Sequence, residues 1–341
     1  MSASNPSLEA ILTRAWLRRG PLACALWPLS LVFRALSGLR VLLFRAGVLK
    51  SHRLPVPVVV VGNIFIGGTG KTPLTIWLAE VLRAAGFTPG IISRGHGGDG
   101  SVPREVTLDA LAGEVGDEPL LIARRSGCPV MVGRDRPQAG RALLAAHPNV
   151  NVIISDDGLQ HYALHRDVEI VLFDGRGAGN GWLLPAGPLR EPVSRRRDFT
   201  VVNAPQMPGN VGGRPFRMQL AGRFAERLAQ PAERVALTAL AGRRIVAAAG
   251  IGNPGRFFAM LRAEGLDFAE LPLPDHHDFL DQRFARVDAD IILITEKDAV
   301  KCRQIENLSN DPRLWVVPVT AQLDAALAEQ IVEKCRGCST A

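Results

Sequence analysis

Disulfide chemistry is the first thing this sequence leaves little room for. Its five cysteines (Cys24, Cys128, Cys302, Cys335, Cys338) are odd in number and spread over 341 residues, which excludes a cystine-stapled scaffold. Cys335 and Cys338 form a lone Cys-x-x-Cys in the final residues, and a reduced tail in a cytoplasmic setting is expected. A secretory leader is not expected, since Glu9 and a helical pattern precede any apolar run. Long hydrophobic runs are also missing. The longest uncharged stretch of the first fifty residues, Gly20 to Phe33, has 14 residues and contains Pro21 and Pro28, against ~20 apolar residues for a spanning helix. Acidic side chains are nearly absent from residues 1–50, where Glu9 stands against Arg14, Arg18, Arg19, Arg34, Arg40, Arg45 and Lys50. Six of the seven net positive charges therefore sit there, and the other 291 residues are almost neutral. A nucleic-acid binder would carry its basic stripe on the folded body. Charge on an apolar N-terminal segment points instead to an anionic membrane surface. Lysine is scarce as well: five of the forty basic residues.

What is present begins with that segment. Leu29, Val32, Phe33, Leu36 and Leu43 share one helical face, with Arg34, Gly38 and Arg45 roughly opposite. Arg40 intrudes on the apolar side and would have to snorkel. A peripheral interfacial helix is expected, with a helix packed on the protein's own core as the alternative. After Lys50, short apolar runs (Val56–Val61, Gly90–Ile92, Pro129–Val132, Val150–Ser155, Val168–Phe173) alternate with helical patterns at Pro73–Ala85, 117–126 and 135–146. That alternation implies a mostly parallel sheet covered on both faces, with ligands at the carboxyl ends of its strands. Residues 203–216 are rich in Pro, Gly and Asn and look like a boundary. Beyond them Arg244–Ala249, Ile291–Thr295 and Leu314–Val319 read as strands of a second, smaller α/β domain. The division expected is 1–50, 51–210 and 211–341.

The strongest motif is Phe65-Ile66-Gly67-Gly68-Thr69-Gly70-Lys71-Thr72, between a buried strand and a helix. Its glycines let backbone N–H groups turn onto phosphate oxygens at a helix N-terminus. Lys71 would reach the β/γ-phosphates of a nucleoside triphosphate and Thr72 would ligate Mg²⁺. Phe65 stands where the strict motif has Gly, and the Gly67-Gly68 pair would restore flexibility. Ile153–Gly158 ends an apolar strand in Asp156-Asp157, where a P-loop protein needs a metal-holding carboxylate. Gly116-Asp117-Glu118-Pro119 opens a helix. Asp117 is either an ordinary N-terminal acid that complements the helix dipole or a general base. Asp275-His276-His277-Asp278 lacks a third ligand at metal spacing. It reads as a solvated loop, or as a means of positioning a catalytic carboxylate across a cleft between the two domains.

Together these runs resemble the tetraacyldisaccharide 4′-kinase family. The resemblance rests on Val-Gly-Asn-Ile-Phe-Ile-Gly-Gly-Thr-Gly-Lys-Thr-Pro (61–73), Ser-Arg-Gly-His-Gly-Gly (93–98), Gly-Asp-Glu-Pro (116–119) and Asp-Asp-Gly-Leu-Gln-His (156–161). It continues through Leu-Leu-Pro-Ala-Gly-Pro-Leu-Arg-Glu-Pro (183–192), Gly-Ile-Gly-Asn-Pro (250–254) and Asp-His-His (275–277), and so covers about residues 10–320. The resemblance implies ATP and Mg²⁺ as cofactors, a lipid disaccharide as acceptor, and the cytoplasmic face of a bacterial inner membrane. No nucleic-acid or protein partner is implied. Carried over residue by residue, it makes Asp117 the general base with His276 as its partner, and Asp156 the metal carboxylate. It places Arg190 near the transferring phosphate and leaves Glu118, Asp157 and Glu191 as supporting acids. His96 stands where a tyrosine is common. Two rivals remain. A membrane-docking P-loop ATPase switch would have lysine where Ile66 stands. A GTP-dependent metallochaperone would need an Asn-Lys-x-Asp run, which the chain lacks.

Overall fold

The computed structural model describes residues 8–95 and 102–338. His96, Gly97 and Gly98 of the second motif therefore lie outside the described residues. The chain is mixed α/β with large, mostly parallel sheets, and it groups into two compact units built from separate stretches. The first takes Met1–Lys71, Asn149–Gln219 and Leu323–Ala341; the second takes Thr72–Pro148 and Leu220–Gln322. Where the sequence suggested consecutive segments, the chain crosses between units several times, and one crossing falls at the P-loop lysine.

The first unit is organised by Val58–Gly62, a run of four valines and a glycine buried along its length. β-Branched side chains on both faces suit a strand with no solvent side. It pairs in parallel with Val152–Asp156 on one flank and Val168–Asp174 on the other. Phe199–Asn203 and then Phe216–Ala221 extend the sheet, again in parallel. All five carboxyl ends thus lie at one edge, and the register sets Asp156 level with Val61.

The N-terminal helix of this unit departs from expectation. It runs from Pro21 to Arg45, 25 residues, with Pro21 at its first turn and Pro28 inside it. By length and composition it is apolar enough to cross a membrane, although the uncharged stretch alone is too short. Arg34 and Arg40 interrupt the hydropathy but not the helix, because a single charge on an exposed face costs a helix almost nothing. The side facing the protein carries Ala23, Leu26, Ser30, Phe33, Ser37, Val41 and Phe44, at steps of three or four residues, with Leu43 beside them. Ser30 Oγ donates to the Leu183 carbonyl at 2.9 Å. Trp27 packs on Trp182 and Phe44 on Tyr162. The large aliphatics point away: Leu29 is 57%, Leu36 64% and Leu42 60% exposed.

In the second unit, Val130–Val132 pairs in parallel with Pro89–Ser93 and antiparallel with Arg104–Glu105. A six-stranded sheet runs in the order Arg234–Ala236, Phe224–Arg227, Leu314–Val317, Ile291–Thr295, Ile245–Ala249, Ala269–Pro272. The last four are parallel, with an apolar cluster on each face. The helix Asp117–Ser126 packs on Glu296–Cys302, and Arg125 and Glu296 form a salt bridge between them.

Candidate active site

The P-loop follows the buried valine strand and ends at Lys71, the first residue of the helix Lys71–Ala84. Gly67 and Gly70 carry the left-handed backbone, with φ of +103° and +98°. A side chain at Gly70 would also press on the Asn203 amide, its Cβ 2.5 Å from Nδ2. Phe65 needs no such freedom. Its backbone bridges to Leu189 in antiparallel fashion, and its ring is buried beneath the Arg176 guanidinium, 4.2 Å from the ring centre. Arg176 is itself held by both carboxylate oxygens of buried Asp174.

Asn63 does the internal work of the loop. Fully buried, it donates to the carbonyls of Phe65 and Gly67 and accepts from Lys71 Nζ at 3.0 Å. The lysine is thereby aimed before any ligand arrives. Lys71 Nζ also lies 3.7 Å from Asp157, whose other oxygen is 3.6 Å from Arg190. Asp157 sits at φ +49°, a left-handed turn that a short polar side chain tolerates. The structure thus gathers Lys71, Asp157 and Arg190 around one carboxylate. Asp156, buried at the end of its strand, stands immediately before them. Thr72 is the second residue of the P-loop helix. Glu191 is engaged otherwise: Gln160, Tyr162 and Arg195 all bind its carboxylate.

A second cluster lies wholly within the second unit. Asp117, 4% exposed, meets His276 Nδ1 at 3.0 Å through Oδ2. Lys301 Nζ approaches the same oxygen at 3.3 Å, and the Glu118 amide donates to Oδ1. Burial pushes the Asp117 carboxyl up, but Lys297, Lys301 and His276 outweigh it and hold the pKa below the ordinary value. Lys297 Nζ contacts Glu118 at 3.0 Å, Asp275 at 3.1 Å and His276 Nε2 at 3.4 Å. His276 occupies φ +59°, with its amide donating to Asp275. A non-glycine held there costs on the order of 1 kcal/mol, so the surroundings must fix it. They do so through Gly250, whose added Cβ would lie 2.8 Å from Asp298 and 3.2 Å from the Pro274 carbonyl. The Gly250 amide donates to Asp298 Oδ2, which also accepts from Thr295 Oγ1 at 2.7 Å. Thr295 in turn caps the helix that bears both lysines.

Asp117 and His276 therefore meet as the sequence suggested, although both belong to one unit. The sequence reading gave no role to Asn63, Asn203, Arg176, Lys297 or Lys301. The two helix lysines had one available signal: in a chain with thirty-five arginines, three of its five lysines (Lys71, Lys297, Lys301) face these carboxylates.

Residues 22–336 match the family model described as tetraacyldisaccharide-1-P 4′-kinase, LpxK. A protein named tetraacyldisaccharide 4′-kinase from Janthinobacterium sp. (strain Marseille) is 65% identical, over the full length of both chains. One of the same name from Herminiimonas arsenicoxydans is 64% identical, over 100% of this chain and 99% of that one. A crystal structure of LpxK from Aquifex aeolicus in complex with ATP superposes with a TM-score of 0.77 at 31% identity. It covers 92% of this chain and 99% of that one.

Proposed function

The chain belongs to the tetraacyldisaccharide-1-phosphate 4′-kinase family, and we propose that Lys71, Asp117 and His276 carry that family's reaction here. The protein is an ATP-dependent kinase of lipid A synthesis. It transfers the γ-phosphate of ATP to the 4′-hydroxyl of a tetraacyldisaccharide 1-phosphate, giving lipid IVA. Lys71 neutralises charge on the β- and γ-phosphates, which the glycine amides of the loop cradle. Arg190 adds a second cation. Asp117 takes the proton of the acceptor hydroxyl, and His276 keeps its carboxylate in place. The observation that carries this assignment is the buried Asp117 carboxylate, anionic at neutral pH and fixed by a histidine at 3.0 Å.

Mg²⁺ is the expected companion of ATP. Among the described residues no three His, Cys, Asp or Glu form a self-sufficient metal cage. Mg²⁺ bound with nucleotide needs only one or two protein oxygens beside phosphates and waters. Buried Asp156 and the Thr72 hydroxyl are donors of that kind and are the proposed ligands. Bound there, the ion would offset phosphate charge.

The helix Pro21–Arg45 supports a peripheral seat on the membrane. Contacts from Ala23 to Phe44 bind it lengthwise to its own unit, so it lies along the protein. Its leucines face outward, the reverse of a helix buried on a soluble core. With ATP as donor and all five cysteines unpaired, the proposed location is the cytoplasmic face of the inner membrane. The test is transfer of labelled γ-phosphate from ATP to the lipid disaccharide. A switch-type ATPase would release phosphate equally well without the acceptor, and that result would overturn the kinase reading.

A further inference from the structure

The Lys297 ammonium stands against three acceptors at once: Glu118 Oε1 at 3.0 Å, Asp275 Oδ1 at 3.1 Å and His276 Nε2 at 3.4 Å. An ammonium has three protons and no lone pair. A ring nitrogen that close to it must present its own lone pair, since an N–H there would point hydrogen at hydrogen. We propose that Lys297 is a positioning residue that fixes His276 as the neutral tautomer protonated at Nδ1, so that His276 orients Asp117 but never receives the substrate proton.

The other side of the ring agrees. Nδ1 lies 3.0 Å from Asp117 Oδ2, and a carboxylate calls for a donor. Turning the ring over would set carbon against both Asp117 and Lys297 and lose both contacts. Among the described residues, the charged groups that face His276 include Asp117, Asp275 and Lys297, with Lys301 behind Asp117 and Glu118 behind Lys297. Burial pushes the Lys297 ammonium down, but Glu118, Asp117 and Asp275 hold it above the usual lysine range. It therefore stays charged throughout the working pH range.

This rests on the reading of Asp117 as the base and changes what its partner does. The O–H bond of the acceptor breaks, its oxygen bonds to phosphorus, and the proton passes to the Asp117 carboxylate. With Nε2 turned to a cation and Nδ1 already protonated, the imidazole offers that proton no site. It stays on Asp117 until water removes it. A simple histidine–carboxylate relay would instead store it on the ring.

The test uses the full-length protein with ¹⁵N-labelled histidine, His276 being identified by the signal lost in His276→Gln. At about pH 8, where an imidazole is ordinarily neutral, wild-type His276 should show a bare Nε2 and a protonated Nδ1. Lys297→Met should populate the Nε2–H form or the imidazolium and lower kcat about tenfold, with the KM for ATP nearly unchanged. Lys297→Arg, again a donor only, should restore both the tautomer and most of kcat. A protonated Nε2 in the wild type, or an unchanged tautomer in Lys297→Met, overturns the proposal. Should Lys297→Met fail to fold, the wild-type spectrum still decides. Wild-type kcat in both Asp117→Asn and His276→Gln would sink the base reading, and with it any catalytic meaning of the tautomer.

Discussion

Lys71 is held by Asn63 before ligand binds, so replacing it should remove charge without disturbing the loop. Lys71→Ala should lower kcat more than about a hundredfold, with an unchanged circular dichroism spectrum. Retention of a tenth of wild-type kcat would contradict the phosphate role. Asp117 and His276 should behave as one device, so that Asp117→Ala combined with His276→Ala is little worse than the more damaged single variant. Independent, multiplying losses would separate them. The folded state holds the Asp117 pKa below its unfolded value of ~3.9. Its contribution to stability is therefore complete above that value and is lost as pH falls through the folded one. The gap in Tm between wild type and Asp117→Asn should stay constant from about pH 6 to 8 and shrink below about pH 4. A gap that widens toward acid would mean the carboxylate is not the stabilised form. The dyad was legible in the sequence only through quoted motifs, because its members are 159 residues apart. Lys297 and Lys301 left no local pattern beyond their rarity.

At the scale of elements, most buried parallel strands were legible to within about two residues as apolar runs, but Phe199–Asn203, buried along its length yet carrying Thr200 and Asn203, was not anticipated. Ile291–Thr295 coincides with its expected bounds. Half-solvated strands at a sheet edge or next to one were not legible. Phe216–Ala221 and Ala269–Pro272 are half solvated and carry mixed side chains, so neither period nor hydropathy marks them. Gly250 shows how an element can be set by one missing carbon. Gly250→Ala would push on Asp298 and on the turn that presents His276. It should destabilise the protein by about 1–3 kcal/mol and lower kcat, with ATP affinity little changed. Thermal melts and steady-state kinetics on the same sample check it; an unaltered melt with full activity would show that the turn gives way freely.

For the molecule as a whole, the outward leucines of the N-terminal helix should decide where the enzyme resides. The triple change Leu29→Gln, Leu36→Gln and Leu42→Gln alters only side chains that are more than half exposed, and each leucine withdrawn from lipid forfeits about 1.5–3 kcal/mol. Sedimentation with anionic vesicles should fall at least tenfold while the melting temperature holds. High salt should release the wild type only in part, because apolar burial is not screened. Undiminished sedimentation would place the anchor elsewhere. The turn at Trp182–Arg190 gives that anchor a further meaning. One end accepts Ser30 from the helix; the other pairs with the P-loop at Ile64 and Ile66 and presents Arg190 to Asp157. Between them the turn is cross-tied, with Gly187 bonded to Leu183, Leu184 to Leu189, and the Trp16 indole to Pro185. Such a brace fixes the distance between the phosphate cradle and the outward leucines of the helix, so whatever surface those leucines meet is held at one set spacing from the P-loop.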